Sequence, residues 1–74
     1  MSTLVTVFVC DNKKRGLSGY KVKQYGDDSI IKTDSEGKAS LLIDSSECAI
    51  YVNGSQVYKG YTYNAPDPIV YIAS

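Results

Sequence analysis

Histidine is absent from this sequence, and its absence limits the chemistry that the chain could perform. General acid–base catalysis near neutral pH most often uses His, and Ser–His or Cys–His nucleophiles require it. The two cysteines, Cys10 and Cys48, cannot complete a tetrahedral zinc site without it. We therefore expect a protein that is not an enzyme and that has no catalytic residue, metal or cofactor.

Acidic side chains in predicted turns are the remaining candidates for metal chemistry. Asp27, Asp28, Asp34 and Glu36 offer the oxygen ligands that Ca²⁺ prefers. Their spacing matches no ligand loop that we can name. We interpret them as solvated turn residues.

Tyrosine is the residue type that most suggests binding. The chain has seven Tyr, one Phe and no Trp, and four of these Tyr lie close together in sequence: Tyr51, Tyr58, Tyr61 and Tyr63. Tyr is amphipathic and enriched at protein interfaces, which makes these four candidate partner-binding residues. Tyr61 and Tyr63 share one face if that segment is extended. The alternative is that Tyr covers a thin core or pairs across strands.

Lys13, Lys14 and Arg15 form a basic cluster in a predicted loop. The cluster could bind a phosphate or an acidic partner, so we include it among the candidate partner-binding residues. The alternative is a loop that only aids solubility. The whole chain has eight basic and eight acidic residues, and its zero net charge argues against a nucleic-acid partner.

Charge is unevenly distributed along the chain. Residues 1–23 are mainly basic, and residues 24–47 are mainly acidic. In a folded sandwich the two parts could neutralise each other across neighbouring strands. The alternative is a bipolar surface that steers a partner.

The elements that must position these residues are short strands, because apolar residues alternate with polar ones and no stretch has helical spacing. The predicted strands are Thr3–Cys10, Tyr20–Tyr25, Ile30–Thr33, Lys38–Ile43, Glu47–Val52, Ser55–Tyr63 and Ile69–Ile72. Asn53-Gly54 predicts a hairpin. Strand phase places Cys48 with the inward residues and Cys10 with the outward ones, so a disulfide is not expected. We predict one all-β domain over residues 1–74, with about seven antiparallel strands in a two-sheet sandwich.

The order of certain motifs resembles that of a known family. The motifs are Val-x-Val-x-Val-x-Asp ending at Asp11, Leu17-Ser18-Gly19-Tyr20-Lys21-Val22, Thr33-Asp34-Ser35-Glu36-Gly37 and Ile50-Tyr51-Val52-Asn53-Gly54. They look like those of prealbumin-like sandwiches, especially carboxypeptidase regulatory-like domains. The resemblance implies a prealbumin-like or immunoglobulin-like sandwich. Because the motifs carry turn and core chemistry, it implies no particular function. The related hydrolase branch uses His and does not fit this chain.

The predicted function is binding. We expect a protein–protein interaction module that uses the Tyr-bearing strands or a sheet edge, with a possible homodimer through the closing strand. The alternative is a small phage- or mobile-element-encoded inhibitor that blocks a host defence complex, such as a nucleoprotein complex. The N-terminal residues lack the basic region of a signal peptide, and no apolar run could span a membrane. We therefore expect a cytoplasmic protein.

Overall fold

The alternating segments form seven strands in a computed structural model, which describes residues 2–26 and 29–73. The strands are β1 (Thr3–Cys10), β2 (Lys21–Gln24), β3 (Ile30–Lys32), β4 (Lys38–Ile43), β5 (Glu47–Val52), β6 (Ser55–Tyr61) and β7 (Ile69–Ile72). The all-β prediction is confirmed, and β1, β4, β5 and β7 have the predicted bounds. Residues 27 and 28 of the predicted turn lie outside the described residues. No helix within the described ranges is long and apolar enough to cross a membrane.

The strands form two sheets. One has three strands in the order β4-β1-β7, and the other has four in the order β3-β2-β5-β6. Every pairing is antiparallel except that of β7, which runs parallel to β1 with Val7 opposite Ile69. The sequence-based prediction of antiparallel strands throughout is wrong for this pair. Parallel neighbours need a long crossover, and here the whole chain between β1 and β7 provides it.

The core lies between the sheets and contains one residue of every two along most strands. The buried cluster is Val5, Val7, Val9, Val22, Ala39, Leu41, Ile43, Cys48, Ile50, Val52 and Ile69. The predicted phases of β1, β4 and β5 are therefore confirmed. Cys10 lies outside this cluster, in keeping with its opposite phase, but it is fully buried, which its prediction as an outward residue did not anticipate. Both cysteines are free thiols.

Two of the sequence motifs meet at one end of the sandwich. The buried Thr33 hydroxyl donates to the Leu17 carbonyl at 2.6 Å and accepts from the Tyr20 N–H at 3.0 Å. Gly37, with a φ of 83°, packs its backbone against that of Gly16. These contacts attach the β3–β4 turn to the residues that lead into β2. The two motifs therefore have a structural role.

Strand β6 ends at Tyr61, two residues earlier than predicted, because Thr62 turns inward. The Thr62 N–H donates to the Ser46 carbonyl, and the Thr62 hydroxyl donates to the Ser45 carbonyl, both at 2.8 Å. Thr62 is buried by these contacts and begins a short 3-10 helix, Thr62–Asn64. Tyr61 and Tyr63 therefore do not lie on one extended strand.

Candidate protein-binding surface

The solvent-facing side of the four-stranded sheet gathers lysine and tyrosine. Val22, Ile50 and Val52 face the core, so the residues that alternate with them face outward. We call the following set the outer face of the four-stranded sheet: Lys21, Lys23, Tyr25, Ile30, Lys32, Glu47, Ala49, Tyr51, Lys59 and Tyr61.

Strand register places these side chains in rows across the sheet. Lys21 lies opposite Lys32, and Lys23 lies between Ile30 and Tyr51. In the next row, the Tyr25 N–H donates to the Ala49 carbonyl at 2.8 Å. Ala49 in turn lies opposite Lys59. Lysines from three strands thus share one surface.

No salt bridge neutralises these lysines among residues 2–26 and 29–73. The two ion pairs found there are Arg15–Asp11 at 2.9 Å and Lys38–Glu36 at 3.9 Å, and both join residues close in sequence. Within the described part of the chain, the basic and acidic stretches are therefore not neutralised by ion pairs between neighbouring strands. The outer face of the four-stranded sheet carries Glu47 as its one described carboxylate.

Three of the four candidate tyrosines present their rings to solvent. Tyr51 is half-buried on the outer face, and its hydroxyl lies 3.3 Å from Oε1 of Gln56. The rings of Tyr61 and Tyr63 stack with centroids 5.4 Å apart and an interplanar angle of 20°. They remain 49% and 73% exposed. Stacking therefore orders a large aromatic surface without burying it.

Tyr58 has a different place. It lies opposite Ile50, packs against the core, and donates its hydroxyl to the Tyr61 carbonyl at 2.6 Å. The interpretation in which Tyr covers a thin core applies to this residue. Its hydrogen bond also fixes the backbone that carries the Tyr61 ring.

The basic loop is organised by Asp11. The Asp11 carboxylate accepts the backbone N–H groups of Lys13 and Arg15 and the Arg15 Nε–H, each at 2.9 Å. These bonds, above all the one from the Arg15 backbone, lower the pKa of Asp11. Lys13 and Lys14 are exposed. No hydrogen bond or ion pair between described residues links this loop to the candidate tyrosines.

Shallow depressions run along the outer face. One of about 550 Å³ is lined by Lys21, Lys23, Ile30 and Tyr51. A second of about 330 Å³ adjoins it, because Lys23 and Tyr51 line both, and Tyr25 stands at its side. A third of about 560 Å³ extends from Tyr25 to Lys59. The face can therefore receive side chains of a partner at successive positions.

The acidic turns do not form a metal site in the described chain. No group of three or more His, Cys, Asp or Glu that could hold a metal ion occurs there. Oδ1 of Asp34 accepts the backbone N–H groups of Lys38 and Glu36, and these bonds lower the pKa of Asp34. Asp34 therefore closes a turn, whereas Asp27 and Asp28 lie outside the described residues.

Tyr25 and the four lysines of this face were not predicted from the sequence as binding residues. The alternation of Lys21, Lys23 and Tyr25 with Val22 places these three on one side of β2. Lys32 and Lys59 lie on the same face as these three residues because β3 pairs with β2 and β6 pairs with β5. Strand pairing of this kind is decided by the tertiary structure.

Comparisons of the chain with protein-family models, with curated proteins and with solved structures each return no match. The prealbumin-like resemblance therefore stays a prediction.

Proposed function

We propose that this chain is a non-enzymatic protein-binding module whose docking surface is the outer face of the four-stranded sheet, extended by Tyr63. The observation that supports this most is the exposed Tyr61–Tyr63 stack, whose Tyr61 lies opposite Glu47 on the same face as Tyr51 but towards the other end of β5. Tyr presents a large rigid surface at low cost in conformational entropy, and it dominates many binding hot spots.

Site-specific photo-cross-linking in the producing cells tests this proposal. A photoreactive phenylalanine replaces Tyr61 in one variant and Leu42 in a matched control. Leu42 is 70% exposed but lies on the opposite sheet. We expect a defined protein adduct from position 61 and none from position 42. Equal adducts from both positions would contradict the proposed surface.

The affinity of the captured partner for Tyr variants gives a second readout. We expect Tyr61→Ala or Tyr63→Ala to weaken binding by about 1–3 kcal/mol, as the loss of an aromatic anchor does. Tyr61 is about half exposed and Tyr63 is largely exposed, so both variants should keep the circular dichroism spectrum of the wild type. Unchanged affinity in two folded variants would place the interface elsewhere.

The inhibitor alternative uses the same surface, and it differs only in whether binding abolishes an activity of the partner. An origin in a phage or mobile element and a cytoplasmic location also belong to the proposal. The two free, buried thiols support a reducing compartment.

A homodimer through an edge strand is the second candidate, and the composition of β7 favours it. Four strands lie at sheet edges, and three of them carry a lysine: Lys32 in β3, Lys38 in β4 and Lys59 in β6. Edge lysines discourage pairing with another chain. β7 carries no charged residue, and its Val70 and Ile72 side chains are 56% and 52% exposed.

The backbone of β7 also suits self-pairing. The Ala73 N–H donates to the Cys10 carbonyl at 2.8 Å, which fixes the side of the strand that faces β1. Alternation then directs the N–H and C=O groups of Val70 and Ile72 to the open edge. In an antiparallel copy centred on Tyr71, the N–H and C=O groups of Val70 would bond to those of Ile72 in the other chain, and those of Ile72 to Val70.

A further inference from the structure

We propose that the partner offers an extended acidic segment, whose carboxylates meet the lysines of the outer face while its other side chains enter the depressions between them. This inference rests on the proposed function, because it names the chemistry of the partner for the same surface. Its basis is the charge that the described fold leaves unbalanced on this face.

The pairing of Lys21 with Lys32 is the clearest sign of that imbalance. These residues are register partners on adjacent strands, and like charges placed directly opposite each other destabilise a sheet. Lys23 lies two residues along β2 on the same side, so a third positive charge adds to the repulsion. No described acidic side chain bonds to any of the three. An acidic ligand would relieve a repulsion that the free protein carries.

The arrangement of aromatic and basic groups suits an extended chain. Lys23 lies between the depression lined by Lys21, Ile30 and Tyr51 and the one lined by Tyr25 and Tyr51. Beyond Tyr25, Lys59 and Glu47 line the third depression together, so this part of the face carries charges of both signs. A peptide strand crossing the sheet presents every second side chain to it, so its residues i, i+2 and i+4 would meet lysines and depressions in turn.

An acidic peptide explains the charge pattern better than a nucleic acid does. Binding along a phosphate backbone usually needs a basic surplus, whereas this chain has zero net charge. Its single arginine, Arg15, is bonded to Asp11 in a loop and is not on this face. Four lysines gathered on one surface of a neutral protein instead give complementarity to a local acidic patch.

Fluorescence anisotropy with three labelled probes tests the inference. The probes are a peptide of alternating Glu and Ser, the matching peptide of alternating Gln and Ser, and an oligothymidylate of similar length. We expect the Glu peptide to bind the full chain, with affinity falling as salt is added because the contacts are exposed. The Gln peptide should not bind. Equal binding of both peptides, or binding of the oligothymidylate alone, would overturn the inference.

Two charge-matched variants locate the binding. Lys23→Glu and Lys38→Glu change net charge equally, and both residues are exposed, but Lys38 lies in β4 of the three-stranded sheet. We expect Lys23→Glu to weaken binding of the Glu peptide about tenfold or more, with little effect from Lys38→Glu. Equal losses would show a response to net charge alone and would refute the site.

The cross-linking experiment at position 61 keeps this inference separate from the proposed function. A protein adduct at Tyr61 without binding of the Glu peptide would overturn the acidic segment and leave the binding module standing. If neither a protein adduct at position 61 nor binding of the Glu peptide were found, the proposed function and the acidic segment would both be refuted.

Discussion

Three glycine variants separate two physical effects at the junction of the β1–β2 loop and the β3–β4 turn. Gly37 has a φ of 83°, and a Cβ there would overlap the Val9 carbonyl and lie 2.7 Å from both Gly16 Cα and Leu17 N. Gly19 has nearly the same φ, 81°, but a Cβ there would meet nothing within 4 Å. Gly16 lacks a positive φ, yet its Cβ would overlap the Glu36 carbonyl.

The expected losses of unfolding free energy follow from these differences. In Gly19→Ala the only added cost is that of holding an alanine in the left-handed conformation, about 1–2 kcal/mol of unfolding free energy. Gly16→Ala adds only crowding against backbone atoms, which cannot rotate away, and costs about 3 kcal/mol. Gly37→Ala combines both and should cost about 4–5 kcal/mol. A domain of this size is stable by about 3–5 kcal/mol, so the Gly37 variant should be largely unfolded.

Urea unfolding followed by far-ultraviolet circular dichroism measures these losses. A stabilising osmolyte such as trimethylamine N-oxide, added equally to all four proteins, keeps the weakest variant measurable. We expect stability to fall in the order wild type, Gly19→Ala, Gly16→Ala, Gly37→Ala. If Gly37→Ala lost no more unfolding free energy than Gly19→Ala, the left-handed backbone alone would explain why position 37 needs a glycine. The close crossing of the two segments would then be refuted.

Two further predictions concern pH and self-association. The backbone N–H donors to Asp11 and Asp34 hold both pKa values below the ordinary 3.8. Between these lowered pKa values and pH 3.8, the unfolded chain therefore binds more protons than the folded chain. The stability that the two carboxylates contribute is present above pH 3.8 and is lost as pH falls through their folded pKa values. Urea midpoints should fall at acid pH less steeply in Asp34→Asn than in the wild type, and identical slopes would exclude a contribution from Asp34. For β7, sedimentation should show concentration-dependent association that Ile72→Lys abolishes and Leu42→Lys, on the same sheet, leaves intact. A wild type that stays monomeric at the highest concentration would refute pairing through this edge.

Local sequence pattern determined the strands of this protein. Alternation predicted the bounds of β1, β4, β5 and β7, and Asn53-Gly54 predicted the β5–β6 hairpin. The same alternation predicted which residues of β1, β4 and β5 face the core, because side chains alternate between the two faces whatever the strand's neighbours are. The placement of Cys48 inside the core cluster and Cys10 outside it followed from the same rule.

Only the tertiary structure decided which strands pair and which side chains share a surface. The parallel pairing of β7 with β1 joins the two ends of the chain, and the inward turn of Thr62 depends on carbonyls of the β4–β5 turn. The lysines of β2, β3 and β6 share a surface only because β2 pairs with both β3 and β5 and β5 pairs with β6. Strand order depends on the free energy of the whole sandwich, in which contacts distant in sequence must form together, so no local window of residues could predict it.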